Sequence, residues 1–217
     1  MILVQNIYFV QLWGRERDMA RSTQETIKYL TQNDMKKLLD TIENSKSLHA
    51  VRDLAIFRVA YRCGLRASEV ALIKLEHYNA KKWEIFCQRL KGSKSNTIRL
   101  DEKTQTALSR YIEKYNITNT YDVLFKSQEK KPISRQTLDY LMKRYCREAG
   151  IEDTTKHHFH AIKHTTAVHL AESDMDIKEL QWWLGHKAVS NTEVYFQFTT
   201  RQQEKMYDKL SKKSEMV

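Results

Sequence analysis

Apolar residues return with a helical period along most of this chain. Thr31 is followed by Gln32, Asn33 and Asp34, and Met35, Leu38, Leu39 and Ile42 then form one stripe. That spacing predicts an amphipathic helix with Thr31 as N-cap and Asp34 at its third position. Asp53 to Cys63 reads as a second helix, with Leu54, Ile56, Phe57, Val59 and Ala60 mostly inward and Gly64 as its stop. Leu65-Arg66-Ala67-Ser68-Glu69-Val70 opens a third, expected to continue through Leu72 and Leu75. The period changes between Trp83 and Leu100. Ile85-Phe86-Cys87 suits a strand, Lys91 to Asn96 a turn, and Thr97 to Leu100 a returning strand. A β-hairpin with a basic tip is predicted there.

Helical spacing resumes over Thr104 to Tyr115, where Ala107, Leu108, Tyr111 and Ile112 share a face. Val123-Leu124-Phe125 is a short apolar segment before a charged turn that ends in Pro132. Ser134 caps a helix carrying Leu138, Leu141, Met142 and Tyr145, which Gly150 stops. His160 to Ala171 forms another helix. Asp176 caps Ile177 to Leu184, and Gly185 ends that helix. Ser190 and Glu193 have capping-box spacing, which puts Tyr195 early on a short helix. Thr199 to Val217 is polar and reads as helical through Leu210. The expected fold class is mainly α (α+β), one helical domain with a small antiparallel β-sheet or hairpin.

Composition fits that class and adds charge. One proline and five glycines among 217 residues favour long helices over an all-β fold, and 41% hydrophobic residues suffice for a core. A formal net charge of +10 points to an anionic partner, most simply nucleic acid. Cys63, Cys87 and Cys146 are too few and too scattered for a disulfide framework or a zinc pattern, and fit a reducing cytoplasm. Met1 to Trp13 is apolar. It lacks the leader and cleavage pattern of a signal peptide and is too short to span a bilayer as a helix. Two readings stand: a helix that docks on this domain or a neighbouring subunit, or a translated segment upstream of a natural start at Met19. An intact Met1 end in the mass spectrum of the native protein would decide against the second.

Candidate chemistry starts at Tyr195. A phenol is a weak nucleophile near neutral pH because its proton leaves only at pKa ~10. It becomes useful where cations stabilise the group it attacks. Arg66 stands at a helix mouth, where a guanidinium can grip a phosphate, and Glu69 is placed to orient it. A plain surface ion pair at i, i+3 is the competing reading. His160, Lys163 and His164 share one helix face. A zinc site there is disfavoured, because the zincin glutamate is missing and a lysine lies between the histidines. Lys91 at the hairpin tip suits phosphate contact and proton donation. His157, His158 and His169 read as surface or core histidines, and Trp182 and Trp183 as packing residues.

The order of these features is specific. Gly64-Leu65-Arg66-Ala67-Ser68-Glu69, then Lys91-Gly92, His160-x-x-Lys163-His164, Leu184-Gly185-His186 and finally Tyr195 resembles the tyrosine recombinases of the phage-integrase family. The resemblance runs from about Lys28 to Leu210 and covers that family's catalytic domain. It implies a DNA breaking-and-rejoining enzyme in which Tyr195 forms a 3′-phosphotyrosyl bond. Arg66 is similar to the first catalytic arginine, and Lys91 to the lysine that protonates the leaving 5′ oxygen. His160 is similar to the histidine that assists proton transfer, His186 to the residue that hydrogen-bonds the phosphate, and Glu69 to the acid that buttresses the site. Lys94, Arg89 and His164 are expected to meet DNA. Neither metal nor ATP nor any other cofactor is implied.

Two departures stand out. The second arginine of the family's H-x-x-R motif is Lys163 here, which keeps the charge but loses the bidentate fork. Most relatives also carry a helical domain that closes a clamp around DNA, and only about 27 residues precede the resemblance. The expected organisation is an N-terminal extension (residues 1–27), a catalytic domain (28–198) and a C-terminal helix or tail (199–217) exchanged between subunits. The expected partners are double-stranded DNA, three further copies in a homotetramer on paired sites, and an accessory DNA-binding protein, with no membrane. Integration, excision and inversion remain open as outcomes. Alternatives are a catalytically silent DNA-binding relative and a type IB topoisomerase-like enzyme, with a metal-dependent nuclease more distant.

Overall fold

The structure, a computed structural model, describes residues 27–90, 92–173, 175–196, 207, 208 and 211. The apolar start and Lys91 lie outside the described residues. So does the helix expected at the C-terminus, except at Tyr207 and Asp208, both helical.

Helix α1 (Gln32–Glu43) begins as its sequence predicts. Thr31 accepts from the Asp34 amide and Asp34 accepts from the Thr31 amide, so each side chain satisfies an otherwise orphaned N–H of the other residue. Helix α2 (Ala50–Cys63) is the centre of the fold, and ten of its fourteen residues are buried. It packs against α1, α4 (Glu102–Lys114) and α6 (His160–Glu172). Phe57 meets Tyr145 and Phe159 edge to face. Each such large side chain contributes about 1.5–3 kcal/mol of burial.

Helix α3 (Ala67–Val70) has only four residues. The expected continuation through Leu72 and Leu75 is overturned by long-range pairing. The Ile73 carbonyl accepts from the Leu124 amide, and Lys74 bridges Val123, so the chain leaves helical geometry to join the segment after α4. A 3-10 turn (Leu75–His77) then leads into an antiparallel sheet of order β1-β2-β3, comprising β1 (Tyr78–Asn79), β2 (Glu84–Cys87) and β3 (Asn96–Arg99). Ile85 pairs with Ile98 and both are buried, while Phe86 and Thr97 face outward. The hairpin is as expected; the two-residue β1 is an addition.

Helix α5 (Arg135–Glu148) is capped by Ser134. Helix α7 (Ile177–Leu184) is capped by Asp176 with a return bond from Glu179. Helix α8 (Ser190–Phe196) holds Tyr195. Ser190 is the first residue of α8 and not the cap before it, because the Val189 carbonyl already accepts from Thr192 and Glu193. A small second core joins α6, α7 and α8 through Ala167, Val168, Ala171, Leu180, Leu184 and Tyr195. Trp183 packs on the main core as expected, whereas Trp182 is 56% exposed. Among the described residues no helix is long and apolar enough to cross a membrane.

Candidate active site

Two helices end alike, and each end delivers a site residue. Gly64 stops α2 and Gly185 stops α7, both left-handed, with φ of 59° and 67°. Arg66 follows the first by two residues and His186 follows the second by one. Side chains are excluded at both corners. A Cβ on Gly64 would lie 2.7 Å from Leu184 Cδ2, and one on Gly185 would lie 2.4 Å from the Lys94 carbonyl oxygen.

Arg89 ties the two corners together. Its guanidinium donates to the carbonyls of Cys63 (2.8 Å), Gly64 (3.0 Å) and Trp183 (2.9 Å), and its Nε donates to Asn96 Oδ1. Asn96 in turn donates to the carbonyls of Trp182 and Trp183. A buried cation thus meets the negative ends of two helices. Arg89 was expected to contact DNA, and this is a correction: its side chain is fully enclosed, and protein carbonyls take its donors. No periodicity could signal this, since its carbonyl partners lie 25 to 94 positions away.

The remaining residues line one open cleft of about 1200 Å³, bounded by Arg66, Ser93, Arg135, Asp139, His158, His160, Lys163, His164, His186, Lys187 and Tyr195. Arg66 sits at its edge, gripped by buried Glu69 through Nη1 at 2.7 Å. Burial alone would raise the Glu69 pKa. The amides of Arg66 and Leu90, the Lys163 charge and the Arg66 side chain overcome that and hold it below the ordinary carboxylate value.

Lys163 comes up from α6. It is 2% exposed, and its Nζ has no hydrogen-bond partner. Burial, with repulsion from Arg66 and Arg89 and only Glu69 in opposition, pulls its pKa down to about 7. The histidines around it stay neutral at physiological pH. Burial followed by Lys163 holds His160 and His186 at about 4. Burial followed by His160 holds His164 at about 3.

Tyr195 is 4% exposed, its ring set in the second core. Its hydroxyl lies 3.0 Å from His164 Nδ1. The His186 ring is parallel to the Tyr195 ring at 6.4 Å, and its Nδ1 is 3.0 Å from Thr192 Oγ1, which fixes the ring and leaves Nε2 for other partners. Thus the structure gathers Arg66, His160, Lys163, His164, His186 and Tyr195 from four helices and the turns beside them. Lys94 is exposed beside the cleft, its amide donating to the Gly185 carbonyl. His158, expected as a surface or core histidine, lies half-buried in the cleft wall. His157 and His169 are buried and hydrogen-bonded to Ile151 and Tyr61, as that reading has it. Among the described residues no three His, Cys, Asp or Glu are clustered to hold a metal.

Residues 28–202 match the profile of the phage integrase family. The chain belongs to the phage integrase family. Tyrosine recombinase XerA of Pyrococcus furiosus is 31% identical over 175 residues, covering 80% of this chain and 58% of that protein. Tyrosine recombinase XerC of Caldanaerobacter subterraneus is 35% identical over 170 residues, covering 77% of this chain and 46% of that protein. This chain therefore spans about half the length of these phage-integrase relatives. The crystal structure of XerA recombinase superposes with a TM-score of 0.71 at 24% identity, over 83% of this chain and 62% of that one. The Tn1549 transposon integrase in complex with circular intermediate DNA gives 0.69 at 20% identity, over 83% and 66%. At those identities the structural matches establish the integrase fold.

Within that fold, Arg135 is a cleft residue that no sequence motif marks. It opens α5 at the cleft mouth, with a side chain 78% exposed and Asp139 at 3.6 Å. Its place after a Ser134 cap was readable, but its nearness to His160 depends on how α5 meets α6.

Proposed function

We propose that this chain is the catalytic part of a site-specific DNA recombinase that cuts and rejoins DNA through a 3′-phosphotyrosyl intermediate. The observation that carries this reading is the convergence of Arg66, His160, Lys163, His164, His186 and Tyr195 on one open cleft. In the proposed reaction the cleft seats a scissile phosphodiester. Arg66, Lys163 and His186 stabilise the charge that develops on its non-bridging oxygens. Tyr195 attacks phosphorus, and Lys91 gives a proton to the departing 5′ oxygen. His160 assists proton transfer. The covalent bond retains the energy of the broken linkage until a partner strand's 5′-hydroxyl attacks it. The net charge of +10 and a relative solved with DNA support duplex DNA as substrate.

Residues 28–198 form the catalytic domain in this scheme. Residues 1–27 and 199–217 are the extension and tail, the latter exchanged between protomers of a tetramer on paired sites in the cytoplasm. An accessory DNA-binding protein supplies grip on the far side of the duplex. A nicked suicide substrate tests the reading. A covalent adduct mapped to Tyr195, lost in Tyr195→Phe and unaffected by EDTA, is the expected result. DNA binding without any adduct would favour a silent relative, and the buried, partner-free Lys163 is the observation on that side.

A further inference from the structure

Tyr195 is a poor nucleophile as it stands. Burial pushes its phenol up to about 12, and Arg66 offsets this only in part. The proton must leave as the oxygen bonds to phosphorus, so an acceptor has to stand within hydrogen-bond reach. His164 Nδ1, at 3.0 Å, is there. His186 is placed for something else: its ring lies flat beside the tyrosine ring, and its Nδ1 is engaged by Thr192. His160 touches the edge of His164 with ring centroids 4.6 Å apart, and so stands behind it.

We propose, resting on the recombinase reading above, that His164 is a catalytic residue, the proton acceptor for Tyr195. The neutral imidazole accepts from the phenol in the resting site. Its lone pair is free at physiological pH, because burial and then His160, His158, Lys163 and His186 oppose its protonation. A phosphate entering the cleft brings negative charge beside the ring and makes it more basic at the moment of attack. In the cleavage step the Tyr195 oxygen bonds to phosphorus and its proton passes to Nδ1. The bond from phosphorus to the 5′ oxygen breaks, and that oxygen takes the proton assigned to Lys91. In rejoining, a 5′-hydroxyl attacks phosphorus and gives its proton to the residue-91 amine. The tyrosyl oxygen leaves and recovers its proton from His164. This assigns His164 to the nucleophile and not to groove contact.

The test is single-turnover cleavage of nicked suicide DNA as a function of pH. His164→Ala is expected to slow adduct formation about 100-fold near neutral pH, within the range of a lost general base. Melting temperature and DNA affinity should hold. The ratio of wild-type to variant rate should shrink as pH rises, because hydroxide replaces the missing acceptor. His164→Gln keeps a hydrogen-bonding group but cannot hold the proton, and should behave like His164→Ala. Full rates in either variant, an equal loss at every pH, or rescue by glutamine would overturn the proposal alone. No Tyr195 adduct in the wild-type chain would overturn the recombinase reading and this proposal with it.

Discussion

Glu69 grips Arg66 twice: Oε1 accepts from the guanidinium at 2.7 Å, and Oε2 accepts from the backbone amide of the same residue at 2.9 Å. One buried carboxylate therefore sets both the direction of the guanidinium and the start of α3. It also neutralises Arg89, 3.5 Å away. Removing it leaves two buried or half-buried cations unpaired. Glu69→Ala is expected to lower the unfolding free energy by about 3–5 kcal/mol, the usual cost of breaking a buried pair. Urea denaturation measures this, and an unchanged midpoint would show that Arg89 and Arg66 are held without it.

Lys163 gives a prediction with opposite signs for stability and chemistry. Its pKa falls from an ordinary 10.5 to about 7 in the folded chain. Between those values the unfolded chain holds a proton that the folded chain does not. Its contribution to stability is thus full above about 10.5 and is lost as pH falls towards 7. In the proposed reaction cleavage needs the ammonium, and it should weaken as pH rises past the pKa, shifted upward by bound phosphate. Lys163→Ala should abolish cleavage. Lys163→Arg should retain or raise it and flatten the alkaline limb, because a guanidinium does not titrate there. Calorimetry of DNA binding in two buffers should show proton uptake near pH 8 in the wild type and a reduced uptake in Lys163→Arg.

The cleft histidines predict acid sensitivity. His160 and His186 are held near 4 and His164 near 3, all by burial first. On unfolding they regain an ordinary value of 6.5. Their contribution is complete above 6.5 and drains away as pH drops towards 4. Denaturant midpoints measured from pH 7 to 4.5 should fall, with proton uptake on unfolding. Replacing His164 by glutamine should make that slope shallower; an unaltered slope would assign the sensitivity elsewhere.

Gly185→Ala should do more damage than its size suggests. The new Cβ would sit 2.4 Å from the Lys94 carbonyl oxygen and 3.0 Å from Arg89 Cγ, at a φ of 67°. Gly150 has the same φ with open space around it, so Gly150→Ala isolates the backbone strain, about 1 kcal/mol. The alanine at 185 adds crowding worth roughly 1–3 kcal/mol. Cleavage should drop further than melting explains, because His186 moves with the corner. Equal melting temperatures for the two variants would refute the clash.

Most helices were legible because their ends are written locally. Thr31 with Asp34, Ser134, and Asp176 with Glu179 are caps that need no distant partner. The resemblance in motif order singles out Arg66, His160, Lys163, His186 and Tyr195, and the fold brings these five to one cleft. What escaped depends on tertiary pairing. The third helix stops early because Ile73 and Lys74 pair with Leu124 and Val123, some fifty positions on. Arg89 looks like any basic residue near a hairpin tip until three carbonyls from two helix ends surround it. The His164–Tyr195 contact spans 31 positions and depends on the angle at which α8 settles on α6.

A single main-chain bond, Lys94 N–H to the Gly185 carbonyl at 2.8 Å, joins the loop that carries position 91 to the corner that carries His186. In the proposed chemistry these are the two ends of one reaction, the leaving-group proton donor and the phosphate contact before the nucleophile. The bond gives the two ends of the proposed site one shared mechanical link. When DNA or a neighbouring subunit pulls the loop away, the corner must follow or the bond must break. In the proposed recombinase, such coupling would let one displaced loop disturb both the leaving-group donor and the phosphate contact of the same subunit.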